Sequence, residues 1–399
     1  MSHLDFMFNE METRMKLHWI LSIAAAVAFI YSPTVHAESN SIRIATYNVS
    51  LYGKKAGQIR ERLSDGEDQQ ATDIAKIVQT VRPDILLLNE LDHDADSATA
   101  KLLAKKFFAK DHGSLQGIDY PYVYSAASNT GVDSKLDLNN NDQLGEPTDC
   151  WGFGVYPGQY SMAVFSTYPL DVEKIRTFQK FLWKDLPGAL RPVDPQSKQS
   201  YYDDAIWGRF RLSSKNHIDV PVIVSKDYVV HILASHPTPP VFDGPEDRNG
   251  CRNHDEIAFW NHYLSDGAEK LSDDQGRVGG LAPQERFVIM GDLNSDPVDG
   301  DSQRDAINDL IGHKRVHDPL PKSTGAAGDA KGKAAARQKG DPSTDTANFG
   351  GNLRVDFVLP SQTMSVRRSG VFWPKSDALN RKLIEASDHR MVWIEVELP

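Results

Sequence analysis

The chain has 399 residues, 25% of them charged, and a net charge of −11. This is the composition of a soluble globular protein, long enough for one large α/β domain or two ordinary ones. With no general basic surface, a tight, sequence-independent grip on duplex nucleic acid is disfavoured, but a nuclease is not excluded, because a bound divalent metal supplies positive charge locally.

Near the N-terminus, Lys16 and His18 precede the apolar run Trp19 to Tyr31, and Val35-His36-Ala37 offers the small residues of a cleavage site. The pattern predicts a cleaved signal peptide over 1–37 and an exported mature chain, 38–399, secreted or periplasmic. The run is shorter than the roughly 20 residues of a membrane span, and no second apolar stretch of that length follows. An uncleaved anchor is the competing reading, and Met15 is an alternative start. In an oxidising compartment the lone pair Cys150 and Cys251, both in loop contexts, predicts a disulfide closing a loop of about 100 residues.

The mature chain opens with Ile42-Arg43-Ile44-Ala45-Thr46-Tyr47-Asn48, an alternating strand with Asn48 at its exit. Thr72 is placed to cap a helix over Asp73–Arg82, which Pro83 ends. Asp84 to Glu90 then reads as a buried strand, so strand, helix, strand gives an α/β beginning. A Glu in line with apolar neighbours is seldom buried unless paired or ligated, which makes Glu90 a metal-ligand candidate. The alternative is a solvated first loop residue. Asp92, His93, Asp94 and Asp96 read as a solvated acidic loop capping a helix from about Ser97. Tyr120 to Trp151 is turn-rich and predicts a long surface loop. Leu186 to Tyr202, with its three prolines, predicts an insertion.

Two strands pair from Ile218, and the second, Tyr228 to His236, leads into Pro237-Thr238-Pro239-Pro240. His231 inside that strand reads as structural. His236 stands where the Pro-rich segment fixes the exit, and is a site candidate. In the loop Asp243 to Glu256, Arg248 or Arg252 is placed to fork onto a phosphate, with internal ion pairs as the equal alternative. Arg286 to Met290 is a short apolar strand that stops at Gly291 and presents Asp292 and Asn294 on one side. Alone, this Asp-x-Asn reads equally as a site wall or as an Asx turn. A helix is predicted over Ser302–Ile311, and Gly325 to Gly340 predicts a mobile loop carrying Lys331, Lys333, Arg337 and Lys339. Leu353 to Leu359, with Asp356, and Met391 to Leu398 are the last strands, and Ala386-Ser387-Asp388-His389 lies between them.

Strand ends therefore carry Asn48, Glu90, His236, Asp292 with Asn294, Asp356, and Asp388 with His389. Carboxylates with an amide are how Mg²⁺ is held, and a histidine oriented by an Asp can move a proton. At this point the chain resembles the endonuclease/exonuclease/phosphatase superfamily, DNase I-like enzymes of a secreted bacterial type. The carriers are Ala45-Thr46-Tyr47-Asn48, Pro83 to Glu90, Met162 to Ser166, His236, Gly291-Asp292-Leu293-Asn294, Arg354-Val355-Asp356-Phe357-Val358 and Ser387-Asp388-His389.

That resemblance implies a four-layer α/β sandwich, two mostly antiparallel sheets flanked by helices, and hydrolysis dependent on a divalent metal, usually Mg²⁺ with Mn²⁺ or Ca²⁺ as alternatives. It implies Glu90 as principal metal ligand, with Asn48 and Asp388 nearby. His389 would be a base or a phosphate contact, oriented by Asp356. Asp292 and Asn294 would position water and phosphate, and His236 would contact a phosphate oxygen or assist the leaving group. Asn89 and Thr167 depart from the family pattern. The expectation is an exported phosphoester hydrolase, monomeric, with no obligate protein partner. An extracellular nuclease specifically, or an inactive binding protein on the same fold, are the alternatives.

Overall fold

In a computed structural model that describes residues 40–265, 268–331 and 336–399, the alternating stretches become strands and the 3.6-period stretches become helices. The predicted signal peptide, 1–37, and Lys333 lie outside the described residues. In chain order the strands are β1 (Ser41–Leu51), β2 (Ile85–Leu91), β3 (Tyr122–Tyr124), β4 (Met162–Ser166), β5 (Arg176–Thr177), β6 (His217–Ser225), β7 (Tyr228–Ser235), β8 (Arg286–Asp292), β9 (Ala347–Asn348), β10 (Asn352–Leu353), β11 (Asp356–Pro360), β12 (Val366–Val371) and β13 (Val392–Glu397). One sheet has the order β12-β13-β1-β2-β4-β3 and the other β11-β8-β7-β6-β5, with β9 and β10 a separate ribbon. Neighbours are antiparallel except β1 with β2 and β7 with β8. Parallel neighbours need a long crossover. Helix α1 (Gln69–Val81) supplies the first and α2 (Arg248–Leu264) the second. Residues Ser41–Pro399 form one compact unit.

Period-2 alternation sorts the side chains of the second sheet into two cores. Leu233, Phe287, Ile289, Phe357 and Leu359 turn outward and pack with Ile257, Phe259 and Trp260 of α2 and with Ile307 and Leu310 of α3 (Asp305–Ile311). The alternate positions, Val220, Ile232, Ala234, Val288, Met290 and Val358, belong to the core shared with β1, β2 and α1. Sheet faces sheet and helices cover the outsides, as the sequence resemblance implies. Among the described residues no helix is long and apolar enough to cross a membrane.

Several local expectations are revised. The first helix starts at Gln69, earlier than expected, because the Asp68 side chain accepts from Ala71 N at 2.9 Å and caps it in place of Thr72. Asp94 does cap its helix, accepting from Thr99 N. Asp92, however, is buried, and accepts from Gly53 N and Tyr156 Oη. The Tyr120–Trp151 segment is no free surface loop, since Leu138 and Trp151 enter the outer core. The Leu186–Tyr202 insertion is docked through Asp255, which takes Trp183 Nε1 and Leu190 N, each at 2.6 Å. Part of the Gly325–Gly340 stretch is a short helix, Thr324–Asp329, capped by Ser323.

The expected disulfide is not formed: Cys150 and Cys251 are both free thiols. Cys150 lies 3.6 Å from Gly154 O, whereas Cys251 sits on α2 and takes a hydrogen bond from Gln303 Nε2 at 3.4 Å. Burial pushes both thiols up to about 11. Iodoacetamide added to the unfolded, unreduced protein is therefore expected to label two cysteines per chain, with slow labelling before unfolding; mass analysis reads both.

His217 shows how tightly the outer core is specified. Its Nε2 donates to Glu256 O at 2.7 Å, so Nδ1 accepts from Ser213 Oγ at 2.6 Å, and the ring packs 4.6 Å from Phe259. Burial lowers its pKa from 6.5 to about 4. The unfolded chain therefore binds a proton before the folded chain does, and folding free energy falls as pH drops from 6.5 towards 4, by on the order of 3 kcal/mol. In urea titrations across that window, His217→Gln should remove about one proton from the slope of stability against pH. An unchanged slope would mean that the ring does not stay neutral.

Candidate active site

The alternation that builds the inter-sheet core also builds the site. The inward series on β1 runs on to Asn48, on β7 to His236 just past the strand, on β8 to Asp292, and on β11 it begins at Asp356. Apolar residues fill the middle of the sandwich, and polar ones occupy the same faces at one end. Strand pairing brings them into line, with Asp356 opposite Asp292 and Asn48 beside Asn89. Asn48, His236, Asp292 and Asp356 are all buried.

Glu90 breaks this rule. Parity would send it outward with Leu86 and Leu88, but its φ of 57° re-aims the end of β2, where the register with β1 also shifts. Glu90 Oε1 then accepts from Asn48 Nδ2 at 3.1 Å, and its side chain remains 22% exposed. Gly291, at φ 146°, is equally specific: a Cβ there would lie 2.1 Å from Ser235 O. Only glycine lets β8 run that close to β7 before presenting Asp292.

Asp292 is the hub. Its Oδ2 lies 3.0 Å from Asn48 Nδ2, 3.4 Å from His236 Nε2 and 3.6 Å from His389 Nε2. Oδ1 accepts from Asn294 N at 2.9 Å, so the turn reading of Asp-x-Asn is realised together with the site reading. His389 Nδ1 meets Asp356 Oδ2 at 2.9 Å, which leaves Nε2 for the cleft. The Ser-Asp-His segment is pinned by Ser387, whose Oγ donates to Asn48 O and accepts from His389 N. Phe349 packs edge-on to His389, its ring 5.2 Å away.

The two histidines are driven in opposite directions. For His236, burial pulls the pKa down, and Lys215 adds to that against the pull of Asp292 and Glu90. Burial works the same way on His389, but Asp356 and Asp292 outweigh it and lift its pKa to about 10. Burial pushes Asp356 up to about 6 despite His389. Burial would also raise Asp292, yet His389, His236 and the Asn48 amide hold it below the usual carboxylate range. Burial thus favours the neutral form of His236, while Asp356 and Asp292 favour the charged form of His389.

The model of the Endonuclease/Exonuclease/phosphatase family matches residues 45–389. The chain belongs to that family. Membership suggests a metal-dependent phosphoester hydrolase. Among solved structures, the chain is similar to an endonuclease/exonuclease/phosphatase protein from Beutenbergia cavernae at 17% identity and TM-score 0.48, covering 90% of this chain and 72% of that one. A family protein from Leptotrichia buccalis matches at 13% identity and TM-score 0.47, covering 90% and 100%. The human Nocturnin catalytic domain with bound sulfate matches at 13% identity and TM-score 0.43, covering 90% and 95%. A search of curated proteins returned no match.

The divalent metal that the family uses fits the residues present. Glu90, His236 and Asp292 bring ligand atoms together, as do Asp292, Asp356 and His389. Hard oxygen donors and an excess of negative charge around the one Asn48 amide suit a hard dication. Asp356 Oδ1 and His236 Nδ1 are buried without a hydrogen-bond partner among the described residues. Asp388 is exposed at the rim, where its Oδ1 accepts from Ser50 Oγ at 2.9 Å.

Two clefts meet at Glu90. One, of about 600 Å³, contains Asp292, Asn294, Asp388 and His389; the other, of about 530 Å³, contains Lys215, His236, Arg248 and Arg252. The two arginines expected to meet phosphate are largely occupied. Arg248 pairs with Glu246, and the buried Arg252 donates to Leu212 O, Trp151 O and Arg211 O. His231, as expected, is structural, paired with Asp219 at 2.7 Å.

Sequence reasoning missed Asn89, whose Oδ1 accepts from Asp292 N at 3.3 Å, and Asn253 of α2. Asn253 Nδ2 donates to Thr238 O at 2.8 Å and to Leu293 O at 3.0 Å, so one amide holds both loops that carry site residues. Neither position stands in a local pattern that signals such a partner. Asn253→Ala should orphan two buried carbonyls and lower stability by roughly 1–3 kcal/mol, measured by urea unfolding; a neutral substitution would show that those loops hold themselves.

Proposed function

We propose that this chain is an exported, Mg²⁺-dependent hydrolase of a small phosphoester, with water as the nucleophile. The observation that carries the reading is the Asp292 carboxylate, set between Asn48, His236 and His389 in a cleft bordered by Glu90. Magnesium at Glu90, with Asn48 beside it and Asp388 at the rim, supplies Lewis-acid stabilisation of charge on the phosphate oxygens when bound. Asp292, held ionised, accepts a hydrogen bond from the attacking water and so orients it. Asn294 lines the same cleft with Nδ2 donated to Pro237 O, leaving Oδ1 to position that water. His389, held through Nδ1 by Asp356, presents Nε2 to a phosphate oxygen, and His236 presents Nε2 towards the leaving oxygen.

The charge of the first cleft narrows the substrate. Asp296, Asp299 and Asp301 line it beside Asp292 and outnumber Arg337, which repels a long polyanion and favours a compact phosphoester neutralised by the metal. The net charge of −11 points the same way. Export rests on the pattern of residues 1–37 alone.

Purified protein should hydrolyse bis(p-nitrophenyl) phosphate or p-nitrophenyl phosphate with Mg²⁺ or Mn²⁺ and lose activity in EDTA. Glu90→Ala and His389→Ala should each lower kcat/KM by about 10³-fold or more, the scale of removing a metal ligand or a charge-stabilising donor, with unchanged circular dichroism. Turnover that survives both substitutions would overturn the site. A set of plasmid DNA, RNA, phospholipid and inositol phosphates then identifies the substrate class.

A further inference from the structure

The second cleft is lined by three cations, and two have their donors engaged. Arg248 is paired with Glu246 and lies over the Tyr201 ring, while Arg252 donates to three backbone carbonyls and stacks on Phe210. Lys215 is different. It is 7% exposed, its Nζ makes one long hydrogen bond to Pro237 O at 3.4 Å, and it has no ion pair among the described residues. Glu256, Glu90 and Asp292 act on it only from beyond ion-pair distance, and burial outweighs them; the oxygens of Glu256 are turned to other donors, Oε1 taking Ser214 N at 2.6 Å and Ser214 Oγ at 2.9 Å, and Oε2 taking Thr238 N at 2.6 Å.

A buried ammonium with no carboxylate in contact is costly, and two of its three N–H donors have no protein acceptor among the described residues. The one long bond to Pro237 O offsets little of that cost. An anion that arrives with the substrate supplies the missing partner. The position agrees, because Lys215 lines the second cleft together with Glu90 and His236, and its charge acts on His236 directly. Phe153, Tyr160, Tyr202, Phe210 and Phe242 also line that cleft, and these rings suit the organic part of a small ester.

We propose that Lys215 is a specificity-determining cation whose ammonium pairs with an anionic phosphate oxygen of the substrate where the second cleft meets Glu90 and His236. The inference rests on the phosphoester reading above. The oxygen belongs either to the phosphate at Glu90 or to a second phosphate deeper in the cleft, and the chemistry that recognises it is the same.

The test is calorimetric binding of inorganic phosphate and of methylenediphosphonate to the Mg²⁺-loaded protein, compared among wild type, Lys215→Met and Lys215→Arg. Lys215→Met should weaken binding roughly tenfold, the loss of one charge-assisted hydrogen bond, and Lys215→Arg should restore most of it. Weakening of both ligands places the contact at the phosphate beside Glu90. Weakening of the diphosphonate alone places it on a second phosphate. Thermal unfolding of Lys215→Met without ligand should be no lower than wild type, because a buried unpaired charge has been removed. Wild-type affinity in a folded Lys215→Met, or a lowered unfolding temperature with unchanged affinity, would overturn the proposal. Lys215→Gln carries the same readout should the methionine variant not fold. Wild type that binds neither ligand would instead overturn the phosphoester reading on which this depends.

Discussion

The site depends on a parity constraint. Side chains on a strand alternate strictly, so every residue that must face the partner sheet sits an even number of positions from the apolar ones that already do. Asn48, His236 and Asp292 extend three such series, and Asp356 starts a fourth on the strand paired with β8. The apolar half of the sandwich and its polar end are therefore one construction. A one-residue slip in β8 would move Val288 and Met290 out of the inter-sheet core and Asp292 out of the cleft together. Selection for a packed interior and for an ordered carboxylate act on the same register.

Within that frame, charge is divided rather than pooled. His236 and His389 both approach Asp292 Oδ2 and are driven towards different states, one by burial and a lysine, the other by two carboxylates. A pair of identical side chains thereby acquires distinct chemical roles without a change of residue type. Asp292 holds both, which is why its carboxylate stays ionised despite full burial.

Much of this was legible in the sequence, because short apolar runs punctuated by Gly and Pro announce strands, and Asn48, Glu90, His236 and Asp292 stand where those runs stop, with His389 just before the last one begins. What stayed hidden has a physical reason in each case. The start of α1 was misplaced because Asp68 and Thr72 are equally good local caps, and only packing chooses. The geometry of Glu90 depends on a positive φ that no neighbouring Gly or Pro announces. Arg252 reads like a phosphate fork until its burial against three carbonyls is known, and Lys215 reads like any surface lysine until its burial is known. The cysteine pair was inferred from compartment and count, whereas a bridge needs facing Cβ vectors. Asn253 is silent because its partners lie 15 and 40 residues away.

Asn253 also carries a consequence for motion. A single side chain from the second turn of a 17-residue helix clasps the loop after β7 and the loop after β8. Those loops carry His236 at the edge of one cleft and Asn294 at the edge of the other. Neither cleft wall can swing outward without breaking the clasp or dragging α2 from its bed of aromatic rings. Widening one mouth therefore loads the same amide that holds the other, and Asn294 Nδ2 on Pro237 O ties the two loops a second time.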